Sequence, residues 1–334
     1  MKVDVNVEAD PRVTGEEARA AEANGYDGVW LGETTHDPLL GCALAGQGTK
    51  HVDVGTGIAV AFARSPMTLA VAANDLQLLT GGRFVLGLGS QVKAHITRRF
   101  SMPWSHPAPR MREFVLAMRA IWRSWQEDEP LDFTGEFYSH TLMTPFFSPG
   151  PNPFGPPRVF LAGVGDVMTR VAGEVADGFL CHGFTTERYL RQVTVPALAE
   201  GRRAAGASLD GYEISGVPFV VTGATEAEME QSAQAVKAQI AFYASTAAYR
   251  PVLELHGWGD LQAELASMSK AGRWGQMHGL IDDDILGAFA IVAEPGRVAE
   301  GIRKRYGDVF TRLDLHLKAS LPKDLELAVV EGMR

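Results

Sequence analysis

The chain has 334 residues, 46% hydrophobic and 21% charged, with a formal net charge of −9. This is the composition of a folded globular protein, and its acidic balance disfavours both nucleic-acid binding and docking on anionic membranes. Cys42 and Cys181 lie far apart without companion cysteines, so neither a metal site nor a disulfide framework is expected. No apolar run approaches the roughly 20 residues of a bilayer span. The amino terminus lacks a basic stretch followed by an apolar core, and a cytoplasmic location is the expectation.

Short apolar runs alternate with longer helical patterns, the signal for β/α units and a parallel sheet. Residues 2–7 read as a first strand and 14–25 as a helix, with Thr14 and Glu17 spaced as a capping box and Gly25 as its stop. Strands follow at 28–32, 52–60 and 84–88, with helices at 66–80, opened by Pro66, and at 106–125. The stretch 126–157 breaks the rhythm with a hairpin, LDFTGEFYSH, and a crowd of prolines from Pro145 to Pro157. Proline removes ladder donors, so this segment reads as a covering loop. Strands resume at 158–162, 178–181, 212–221 and 311–317, with helices at 166–176, 187–205 and 295–306. A long helical region, 225–290, exceeds what one β/α unit needs. The expectation is a single (β/α)8 barrel over 1–334, with insertions after strands four and seven roofing a pocket at the strands' carboxyl ends.

Those strand ends hold the candidate chemistry. Strand two is followed by Glu33, two threonines and His36, and an imidazole near neutral pH can move a proton. Strand three carries Gly55 and Gly57, the mark of a bulge, a barrel corner or close backbone approach to a ligand. After strand four, Gly89 and Ser90 lead to Lys93, Arg98 and Arg99, with Arg110 and Arg112 close behind. This is a basic patch suited to an anionic tail, or a solvated helix face. Gly163-Val164-Gly165 opens a helix after strand five, where free N–H groups can cradle phosphate. His182 ends strand six, as a pocket group or a packed residue.

The segments GYDGVWLGETTHDP (25–38), VGTGIAVAFARSPMTLA (54–70), LTGGRFVLGLGS (79–90) and AGVGDVMTRVAGEVADGF (162–179) resemble, in order and spacing, the luciferase-like flavin oxidoreductases. The likeness is greatest to the branch that uses coenzyme F-420, a deazaflavin. The resemblance implies a non-proline cis peptide at Gly57–Ile58 behind the coenzyme ring, with Ala59 beside it. It implies ring and tail contacts at Gly89, Ser90 and His95, and a phosphate on the N–H groups of Gly163, Val164 and Gly165, with His182 and Gly183 nearby. It also implies a homodimer. The chain departs from the branch pattern at two points: Glu33 and Thr34 stand where Asp-His is usual, and Val92 stands where a glutamate is. The expected proton-transfer group is therefore His36, with Glu33 orienting it or touching the ring. The expected reaction is hydride transfer between the deazaflavin and a small organic substrate. FMN-dependent monooxygenation and a non-catalytic barrel are the rivals. Trp104, His106, Trp258 and Trp274 are candidate wall residues.

Overall fold

The computed structural model of the chain describes residues 1–315 and 323–333. Eight parallel strands close on themselves: Lys2–Asn6, Gly28–Leu31, Asp53–Thr56, Phe84–Gly89, Arg158–Gly163, Gly178–Cys181, Glu213–Gly216 and Arg312–Asp314. The eighth strand pairs with both the seventh and the first, and the third with the fourth, so no edge is left open. The expected (β/α)8 barrel is the observed architecture. Residues 316 and 317, at the end of the expected eighth strand, lie outside the described residues.

Alternation along each strand decides what fills the barrel. Val3, Val29 and Leu313 point outward into the main core beneath the surrounding helices. Asp4, Trp30 and Arg312 meet inside instead. Arg312 is fully buried and grips both oxygens of Asp4 (2.7 and 2.8 Å), while Trp30 Nε1 donates to the same carboxylate at 2.9 Å. The third Arg312 nitrogen reaches Asp53 at 2.6 Å, and Lys2 and Arg158 add further pairs to Asp53 at the amino-terminal mouth. Each charge is matched, which is the condition for holding ions in a barrel interior. Trp30, Val85 and Phe160 form a small apolar layer with Leu180 packed on it. Gly55 makes room for it, since a Cβ there would sit 2.5 Å from the Trp30 ring. The barrel is thus plugged from below and in its middle, and space opens only above this layer.

Several expected elements differ in detail. The third strand stops at Thr56, kinks through a cis Gly57–Ile58 peptide, and resumes as Ala59–Val60 against the fourth strand. The 212–221 run splits at Val217-Pro218: Glu213–Gly216 stays in the barrel, while Phe219–Val221 leaves it to pair with Ala290–Val292. A helix at Pro38–Gly48 stands where no element was expected; Asp37 caps it by accepting from Leu39 N–H, and Pro38 opens it. Thr14 is no N-cap. It lies inside the first turn with its hydroxyl on the carbonyls of Glu8 and Asp10, and Glu17 accepts from Glu8 N–H.

The two insertions have different fates. Residues 225–290 carry the helices Glu226–Ala244, Gly259–Lys270 and Asp283–Phe289, and build a second core around Phe184, Phe219, Ile240, Leu253 and Phe289. The stretch 126–157 follows the helix Pro107–Glu127 and precedes the fifth strand, which places it on the side of the barrel away from the strands' carboxyl ends. Its hairpin hangs on Glu113, whose carboxylate accepts from the N–H groups of Glu136, Phe137 and Tyr138, and Asn152 ties it to Asn74. It supplies no residue to the large cavity described below, so the expectation that it roofs the pocket is corrected.

Candidate active site

A cavity of about 1320 Å³ lies at the carboxyl ends of the strands. Its floor is Asn6, Trp30, Leu180, Ser215 and Asp314, the uppermost inward-facing residues of their strands. One wall is the kinked third strand, where Gly57 and Ile58 face the cavity with Gly89 and Ser90 beside them. Next around the barrel, since the fifth strand pairs with the fourth, stand Gly163, Val164, Gly165, His182 and Gly183. The roof is Gln239, Tyr243 and Tyr249 from the second insertion, with Trp104 and Pro107 at the fourth-strand side. Nine of the eleven residues expected to hold a coenzyme line this space. Ala59 is fully buried behind the kink, and His95 lies on the exposed side of the short helix Lys93–Arg98.

The two residues expected to be catalytic part company. His36 lines the cavity rim, its side chain 42% exposed and its Nε2 3.9 Å from Asp10. Arg12 holds that Asp10 carboxyl well below the ordinary carboxylate range. Glu33, only 7% exposed, faces the third strand: its Oε2 accepts from Val60 N–H at 2.7 Å and from Arg64 at 2.6 Å. Its own N–H donates to Ile58 O at 3.2 Å. Backbone and side chain together fasten the residues that flank the kink.

The basic patch is dispersed. Arg112 forms a forked pair with Glu174, and Arg110 lies buried over the Phe62 ring while donating to Tyr138 and Pro103 O. Arg99 is bonded to Thr34 O. Residues two apart on a helix do not share a face, so Arg110 and Arg112 diverge. Of the five basic side chains only Lys93 lines the cavity. Among the expected walls, Trp104 lines it edge-on to Phe62, whereas Trp258 stacks on His256 and Trp274 lies tilted against Phe242, away from the lining. His106 caps the helix Pro107–Glu127, its ring against Phe137.

The structure adds Tyr249, which sequence reasoning did not single out, as the partner of His182. His182 Nδ1 accepts from Phe184 N–H at 3.0 Å, which leaves the proton on Nε2, 3.1 Å from the Tyr249 hydroxyl oxygen. Burial pushes His182 down to about 4 and Tyr249 up to about 12, so both stay neutral. Tyr249 takes a hydrogen bond from His182 and keeps its own O–H to offer to the cavity. Its sequence signal is the aromatic cluster Phe242-Tyr243 and Tyr249 inside an otherwise helical insertion. Gly165, at φ 81°, turns the chain into the helix Asp166–Val175, and Arg170 draws the Asp166 carboxylate along that helix. The first-turn N–H groups of that helix have no intrahelical carbonyl partners and add to the polar groups of that wall.

A closed parallel barrel with a large, small-residue-lined cavity at its strands' carboxyl ends defines an enzyme scaffold of the (β/α)8 class. The chain belongs to the luciferase-like monooxygenase family, whose profile matches residues 2–312. It is 50% identical over 313 residues to an uncharacterized protein of Mycobacterium tuberculosis, covering 94% of this chain and 92% of that one. It is 30% identical over 208 residues to the F-420-dependent glucose-6-phosphate dehydrogenase of Gordonia bronchialis, covering 59% and 60%. Its fold matches the coenzyme F-420-dependent tetrahydromethanopterin reductase of Methanopyrus kandleri with a TM-score of 0.78, at 21% identity over 99% of this chain and 97% of that one. The chain is therefore an enzyme of the luciferase-like oxidoreductase superfamily. No described helix is long and apolar enough to cross a membrane.

Proposed function

We propose that the protein is a coenzyme F-420-dependent oxidoreductase that moves a hydride between the deazaflavin and a small organic substrate. The carrying observation is the cavity wall at Gly57–Ile58 and Gly89, where Ile58 alone of the three carries a side chain, above a floor made by Trp30 and Leu180. A planar tricyclic ring fits such a slot. The adjoining wall suits the ribityl phosphate, because Val164 and Gly165 lead into the helix Asp166–Val175, whose first-turn N–H groups lack intrahelical carbonyl partners. The deazaflavin, when bound, supplies a two-electron hydride carrier.

The chain's own residues bind, orient and shield. Glu33 and Arg64 hold the flanks of the kink so that the ring's support does not move. His182 fixes Tyr249, whose hydroxyl hydrogen points a neutral donor into the cavity. Tyr243 and Tyr249 from the second insertion narrow the opening and exclude water from the reacting face. His36, the proton-transfer group expected from the sequence, stands at the rim beside Asp10. FMN is the second coenzyme the cavity would admit; with the basic patch dispersed, charge on the protein no longer favours the longer tail, and the F-420-dependent relatives carry the preference.

The test is a screen of reduced-deazaflavin oxidation over enones, imines and ketones, with His36→Ala beside the wild type. Turnover with the deazaflavin supports the reading. Oxygen-dependent turnover with reduced FMN alone would replace it. Full turnover by His36→Ala would remove that residue from the mechanism.

A further inference from the structure

The eighth strand ends in a carboxyl group that the arrangement above does not use. Asp4 and Asp314 are register partners on adjacent strands, both facing the barrel interior. Arg312, two residues earlier on the eighth strand, spends its fork on Asp4 and its remaining nitrogen on Asp53. Asp314 receives only a neutral partner, the Asn6 side-chain amide, on one oxygen. Its other oxygen, Oδ1, is shielded from water and has no partner among the described residues. The residue is 7% exposed and forms part of the cavity floor beside Asn6 and Ser215.

An unmatched carboxylate in that position would be an uncompensated buried charge beside another. Burial first, and then the Asp4 charge, push Asp314 up to about 8, against the pull of Asn6. The group is a carboxylic acid at neutral pH, and its O–H needs an acceptor. Asn6 uses its amide as a donor to Asp314, and Asp4 is already filled by Arg312 and Trp30. Asp314 lines the cavity floor, and from there a substrate heteroatom can approach the carboxyl group.

We infer that Asp314 is an acid on the cavity floor that protonates the heteroatom of a substrate with a polarised C=O or C=N bond. The inference rests on the hydride-transfer reading. The hydride, with its electron pair, forms the new C–H bond from the reduced coenzyme, and the π pair moves onto oxygen or nitrogen. The Asp314 O–H bond then breaks and its proton goes to that atom, leaving an alcohol or amine, an Asp314 carboxylate and oxidised coenzyme. Solvent entering after product release returns the proton. Asn6, the neighbouring amide, keeps the carboxyl aimed and is a positioning residue.

The experiment compares wild type with Asp314→Asn, which keeps the shape and cannot give up a proton. Infrared difference spectra of the coenzyme-free proteins at neutral pH report a protonated carboxyl band. Deazaflavin titration reports binding, and single turnover of the reduced complex with a ketone or imine reports the proton-coupled step. Facing Asp314 are Asp4 and Asn6 of the first strand and, more distantly, Tyr26, bonded to Glu326. Of these, Asp314 is the group expected to titrate near 8. The expected result is a carboxyl band missing from the variant, unchanged coenzyme affinity, a rate about 100-fold lower, and loss of the wild-type rate decline above about pH 8. No such band, or a variant as fast as wild type, overturns the inference while coenzyme binding in the same samples leaves the hydride-transfer reading standing. Failure of wild type to bind the deazaflavin overturns both.

Discussion

Glu33→Ala should loosen the kinked wall, and its cost follows from what the carboxylate holds. Removing it orphans the Val60 N–H and takes from Arg64 its nearer carboxylate, at 2.7 and 2.6 Å. Breaking a buried pair costs about 3–5 kcal/mol. Here Arg64 keeps Asp37 at 3.0 Å and is 16% exposed, so the loss falls to about 2–3 kcal/mol. Glu33→Gln keeps an oxygen for Val60 but no charge for Arg64, and should cost about 1 kcal/mol. Urea unfolding followed by circular dichroism measures both values, and a coenzyme titration should show weaker binding in the same order. Suppose instead that Glu33→Gln unfolds like wild type and binds coenzyme as well, yet turns over far more slowly. Glu33 would then act on the reacting atoms, and the clamp argument would be wrong.

Three further outcomes test the frame around the site. Gly55→Ala drives a Cβ into the Trp30 ring and should cost about 1–3 kcal/mol of stability in the same unfolding assay, with a raised cavity floor and weaker coenzyme binding. His182 is held neutral when folded, so its contribution is complete above the ordinary imidazole range and is lost as pH falls from about 6.5 toward about 4. At about pH 5 the wild type should have lost about 2 kcal/mol relative to His182→Asn, which lacks that titration; parallel pH profiles would contradict it. Cys42 and Cys181 are buried and their thiols are pushed up, Cys181 to about 12, so a thiol-specific reagent should label neither in the native protein and both in denaturant.

Much of the barrel is legible in the sequence because strands buried on both sides read as short continuous apolar runs between helical stretches. Phe84–Gly89, Arg158–Gly163 and Gly178–Cys181 fall within a residue of expectation. The helix Pro38–Gly48 escapes notice because its residues are small or apolar all round, with two internal glycines and no polar face to create a stripe. The 212–221 run misleads because Pro218 divides one hydrophobic stretch between two sheets, and periodicity cannot say which partner each half takes. The cavity wall was readable from glycines at strand ends. The acid on the floor and the roof tyrosine were not: Asp314 meets Asn6 through barrel closure across 308 positions, and Tyr249 meets His182 across 67. The arginine patch shows the opposite error, since proximity in sequence was read as proximity on a surface while helix geometry sends Arg110 inward and Arg112 to Glu174.

The central claim is that a deazaflavin ring occupies the slot between Gly57–Ile58 and the glycine-rich wall at Gly163. An equilibrium titration of the purified protein with coenzyme F-420 and, separately, with FMN, read by quenching of coenzyme fluorescence, addresses it most directly. The account predicts saturable binding of the deazaflavin, weakened by Gly89→Val, whose side chain would displace Ile58 on the slot wall. Binding of FMN alone, or of neither coenzyme, would contradict it.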